Sequence, residues 1–138
     1  MTIPAHELRI FAGVGDFKNL RAWQEATRLV LLSSVAIKKL PLHERYLLAD
    51  RWRSATYAVA LNIAEGATRK GPREFRRFLD LARSSLHRLE GILELVETLG
   101  YLREEDLQQV RQSRADCARM VYGLLRKMSA AGDTTVRF

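Results

Sequence analysis

The chain has 138 residues, 47% of them hydrophobic, a single cysteine and a formal net charge of +7. This length fits one domain with a sizeable core. No apolar run approaches a membrane span, and Cys117 alone cannot form an internal disulfide. The N-terminus lacks a basic start, an apolar centre and a small-residue cleavage pattern. The expected setting is the cytoplasm, with no membrane contact.

Residues 1–16 show no periodicity and contain Pro4, Gly13 and Gly15; they are expected to form a flexible N-terminal arm. Asn19 is placed as the N-cap of a first helix, in which Leu20, Trp23, Thr27, Val30, Ser34 and Ile37 recur at steps of three and four. It should run from about Leu20 to Lys39, where Lys38 and Lys39 suit the negative end of the helix dipole and Pro41 stops it. A second helix is expected from about His43 to Arg69. Lys70-Gly71-Pro72 breaks the chain, with proline at the first position of a third helix that ends near Leu99, before Gly100. Glu104, Glu105 and Asp106 then favour the first turn of a fourth helix reaching about Ser129. The predicted organisation is an arm over 1–16, an all-α, up-down-up-down four-helix bundle over 17–130 and a frayed polar tail over 131–138.

Two helices carry more than a core stripe. In the second, Leu48, Trp52, Ala55 and Val59 form one face that Asn62 and Gly66 continue. An unpartnered amide on such a face costs about 1–3 kcal/mol. Asn62 and Glu65 therefore read either as a polar clamp between helices two and three or as part of a binding site, with the clamp preferred. In the third, Phe75, Leu79, Ala82, Leu86, Leu89, Leu93 and Val96 make a first stripe, and Phe78, Leu81, Ser85, Ile92, Leu95 and Leu99 a second. Together they exceed what one core face needs. Either the surplus is covered by self-association, or it is one broad core face with Phe78 and Leu81 at its edge.

Charge is uneven. From Arg69 to Arg88, seven arginines and lysines oppose Glu74 and Asp80, a local +5; from Leu89 to Asp106, six carboxylates oppose Arg103, a local −5. Two readings fit. Arg69, Lys70, Arg73, Arg76 and Arg77, with Arg83, could contact a nucleic-acid backbone, helped by amides at a helix N-terminus. Alternatively, the basic segment of one subunit meets the acidic segment of the next in a purely structural homo-oligomer. Base-stacking aromatics are missing, because Phe75 and Phe78 fall on the buried stripes, so backbone contact without sequence readout is expected.

Catalytic patterns are absent. Metal-binding bundles carry Glu-x-x-His pairs, whereas His87-Arg88-Leu89-Glu90 reverses that order; His6 and His43 are expected to be solvent-exposed. No phosphate loop or dinucleotide motif occurs, and Ser84 and Ser85 beside His87 read as small packing residues. Neither an enzyme nor a metal or other cofactor is expected.

Phe17, Leu20, Trp23 and Ala26, then Ala55, Asn62-Ile63-Ala64-Glu65-Gly66, Glu74-Phe75, Phe78-Leu79, Ala82, Ser85, Leu89-Glu90 and Gly100-Tyr101-Leu102 resemble the bacterial four-helix bundle proteins encoded in intervening sequences of large-subunit ribosomal RNA genes. The resemblance spans about Phe17 to Met128. It implies a cytoplasmic protein assembled as a homo-pentameric ring without catalytic activity. A more distant likeness to the accessory variability proteins of retroelements implies a basic surface that meets nucleic acid or a nucleic-acid enzyme. Ala60 stands where many members carry proline, which predicts a straighter second helix. Ser84 and Arg88 replace a common glycine and glutamate, so a local salt bridge or close approach there is expected to be lost.

Overall fold

A computed structural model describes residues 16–136, the last five (132–136) by their backbone. Apart from residue 16, the expected arm lies outside them. Four helices dominate: α1 (Arg21–Ile37), α2 (Leu47–Ala67), α3 (Pro72–Thr98) and α4 (Glu104–Val136). Short 3-10 turns, Phe17–Asn19 and Leu42–Glu44, precede α1 and α2. No strand occurs among the described residues.

The boundaries depart from expectation for local reasons. Asn19 sits inside the first 3-10 turn, and Leu20 takes the cap position of α1 without a side-chain bond. Entry to α1 is instead fixed by apolar contact: Leu20 is buried, and Phe17 packs edge-on against Trp23 with ring centroids 4.9 Å apart. Gln24 Nε2 reaches back to donate to the Lys18 carbonyl at 3.1 Å. Pro41 precedes a separate 3-10 turn, so α2 begins at Leu47 rather than His43. α2 then passes through Ala60 without a break to Ala67. At the other end, α4 continues past Ser129 to Val136.

The remaining signals act as expected. Pro72 opens α3 after Gly71, whose φ of 85° only glycine adopts cheaply, and Gly100 at φ 72° turns the chain out of α3. Asp106 bends back to accept from the Arg103 N–H at 3.2 Å, so the acidic first turn of α4 also caps it.

Each helix packs against its neighbours in the chain, and α1 closes against α4; diagonal pairs barely touch. With tight turns between them, the helices run up-down-up-down around a core centred on Trp52, Phe75, Leu29, Leu79 and Leu89. One polar hook crosses the α1–α4 seam: the buried Ser113 hydroxyl donates to Glu25 Oε2 at 2.6 Å.

Cys117 lies wholly inside this core, beside the Ala22 carbonyl. Burial, then the nearby Glu25 carboxylate, push its thiol up to about 12. Since the thiolate is the reactive species, native protein is expected to resist a disulfide reagent at neutral pH and to react fully once unfolded. A folded value above the unfolded one gives stability that is present at neutral pH. That stability declines as pH rises above the ordinary thiol range of about 8.5. Fast labelling of native protein would contradict the buried position.

Candidate functional site

The break between α2 and α3 gathers the expected cations at one end of the bundle. Three of them are engaged close by. Arg69 pairs with Glu65, Arg77 with Glu74 at 3.2 Å, and Arg83 with Asp80 at 3.4 Å. Arg69 and Arg77 also flank the Phe78 ring, their guanidinium carbons 5.1 and 4.6 Å from its centroid. Phe78 is therefore not a core residue, as its stripe implied, but a partly buried ring between two cations. Lys70, Arg73 and Arg76 have no carboxylate partner among the described residues. They sit at or next to the start of α3, where no side chain caps the helix. Uncapped amides, a positive dipole end and three unneutralised cations together favour a phosphate group.

The Asn-Ile-Ala-Glu-Gly segment supports this turn in an unexpected way. Asn62 Nδ2 donates to the Ala58 carbonyl at 2.8 Å, one turn back in the same helix. Glu65 is exposed and holds Arg69 across one helical turn. Neither side chain bonds to α3. The approach of the two helices is made at Gly66, where a Cβ would lie 2.7 Å from Phe78 Cβ and 3.0 Å from Phe75 Cδ1. Gly66 lets α3 leave the turn pressed against α2 and so sets where Arg73 and Arg76 project.

The opposite end of the bundle carries the acidic segment, and much of it is matched internally. Arg111 on α4 faces Glu94, Glu97 and Glu104, at 3.3, 3.1 and 2.5 Å. Arg114 lies 3.6 Å from Glu90, and Lys39 on the exit of α1 lies 3.1 Å from Asp106. Arg111 holds the Glu97 carboxyl below its ordinary range, and Lys39 does the same for Asp106. The charge excess is thus reduced within one subunit on both sides, and among the described residues Lys70, Arg73 and Arg76 are the cations of the basic segment's turn left without a carboxylate.

Two contributors to the basic end were not expected from sequence. α4 runs antiparallel to α3 and lays Tyr122 and Arg126 beside Arg76 and Arg83, forming an open groove of about 460 Å³. Their spacing of four residues puts Tyr122 and Arg126 on one helical face, the signal that could have revealed them. The other expected residues play no part in a site. His87, Ser84 and Arg88 are exposed. His43 packs edge-on to Tyr101. No group of three metal-ligating side chains comes together among the described residues.

The sequence model of one family, the 23S rRNA-intervening sequence proteins, matches residues 18–123. The chain belongs to this family. The match runs from the entry of α1 through Tyr122 on α4, so it takes in the Asn62–Gly66 segment and the whole basic turn; Arg126 lies beyond it. No curated protein matches the chain. Membership in the 23S rRNA-intervening sequence family agrees with the all-helical architecture, and no described helix is long and apolar enough to cross a membrane.

Proposed function

We propose that this 23S rRNA-intervening sequence family member is a non-enzymatic, cytoplasmic bundle that binds the backbone of RNA or DNA through the turn between α2 and α3. The observation that carries the reading is the contrast between the two ends. Among the described residues, Lys70, Arg73 and Arg76 stand without carboxylate partners at a helix start with no side-chain cap, whereas the carboxylates of the acidic end are partly offset by Arg111, Arg114 and Lys39. That contrast favours an external anion over pairing of basic and acidic segments between subunits. A nucleic-acid-handling protein would reach the same surface through the nucleic acid it carries.

Homo-oligomeric assembly, pentameric as the family resemblance implies, belongs to the same proposal. Tyr57, Leu61, Leu81, Leu95 and Leu99 are each about half exposed on α2 and α3. Tyr57, Leu61 and Leu81 border adjoining hollows floored by Ser54 and Ala58. An apolar strip of this kind calls for cover.

The test is fluorescence anisotropy at low salt with labelled RNA and duplex DNA of unrelated sequences. Binding of both, with little dependence on sequence, is the expected result. Absence of binding to either overturns the proposal.

A further inference from the structure

We infer that the groove between α3 and α4 is a stacking site for an unpaired base, with the Tyr122 ring as its platform, so that the protein prefers single-stranded over duplex nucleic acid. This rests on the backbone-binding reading above and adds a ligand class to it.

The groove draws from both helices. Arg76, Asp80 and Arg83 project from α3 at helical steps of four and three; Tyr122, Arg126 and Ser129 project from α4. Leu125, buried beneath them, forms an apolar floor. Three guanidiniums oppose one carboxylate, and that carboxylate is occupied by Arg83. The net positive charge selects an anion, and Arg76 is shared with the basic turn, which makes the groove a continuation of the phosphate-binding surface.

Tyr122 gives the groove a second chemistry. The ring is 53% exposed, and the Arg126 guanidinium, one turn on in the same helix, lies over it at 5.5 Å from its centroid. An exposed ring flanked by a guanidinium is the arrangement that holds a base by its π-face while a cation meets the adjoining phosphate. A paired base inside a duplex has no free face to offer, so only an unpaired one gains from Tyr122. The groove is open to solvent rather than enclosed, so a base can reach the ring.

The test uses the full chain and two probes, labelled oligothymidylate and a duplex DNA of the same length. Tyr122→Ala should weaken oligothymidylate binding by about 10-fold or more and leave duplex binding within about 2-fold, because the phosphate contacts remain. Tyr122→Phe keeps the ring and should bind both probes like the unmodified protein. Retained duplex binding also shows that the alanine variant is folded. Equal effects of Tyr122→Ala on the two probes, or a Tyr122→Phe variant as weak as Tyr122→Ala, overturns the stacking site and leaves backbone binding standing. The same holds if the unmodified protein binds duplex but not oligothymidylate. Failure to bind either probe overturns both.

Discussion

Arg73→Glu combined with Arg76→Glu is expected to weaken nucleic-acid binding severely while leaving fold and assembly intact. The two changes reverse charge at positions without carboxylate partners among the described residues, so no ion pair seen there is lost to confuse the result. Each lost phosphate contact should lower the salt dependence by about one unit of slope. Repulsion by the new carboxylates adds to this, and a loss on the order of 100-fold at low salt follows. Stability should move little: Arg73 is exposed, Arg76 is only partly buried, and surface substitutions away from the core change it by about 0.5 kcal/mol or less. A glutamate in the first turn of α3 even suits the positive end of the helix dipole. Anisotropy, thermal melting and elution volume check the three statements together. Unchanged binding by a folded variant would place the interface elsewhere.

Gly66→Ala should lower stability, because it strikes a close approach of α2 and α3. The new Cβ would meet Phe78 Cβ at 2.7 Å and the Phe75 carbonyl oxygen at 3.3 Å. Neither is the free end of a flexible side chain, and the buried Phe75 ring has nowhere to turn. The helices must separate, at a cost typical of overpacking, about 1–3 kcal/mol or more. The better helix propensity of alanine returns about 1 kcal/mol. Gly91→Ala provides the control, since Gly91 lies within α3 with open space around it. There the propensity gain is unopposed, and a stabilisation of about 0.5–1 kcal/mol is expected. Urea unfolding of both variants reads the difference. Equal behaviour would mean that the α2–α3 contact is not set at Gly66.

The helix count, the break at Gly71-Pro72 and the first stripe of α3 were legible because each depends on local chemistry or strong periodicity. All seven residues of that stripe, Phe75 to Val96, are buried. The α1 cap was not legible: Asn19 has the right side chain, but burial of Leu20 and the Phe17–Trp23 contact decide where the helix begins. Helical spacing put Asn62 and Gly66 on one face without showing that the amide would turn back to Ala58 while the glycine made the contact with α3. The basic cluster was visible as composition. Its division into paired Arg69, Arg77 and Arg83 and unpaired Lys70, Arg73 and Arg76 needed side-chain positions. Tyr122 and Arg126 stayed hidden because their importance comes from a distant helix, brought alongside only by antiparallel packing.

On the proposed function, the turn between α2 and α3 meets phosphates with Lys70, Arg73 and Arg76, which pair with no carboxylate among the described residues. The slope of log affinity against log salt for duplex DNA tests it most directly. With Lys70, Arg73 and Arg76 each meeting one phosphate, the slope should be about −2.7 per engaged subunit. A slope near zero, or no binding at low salt, would contradict the claim.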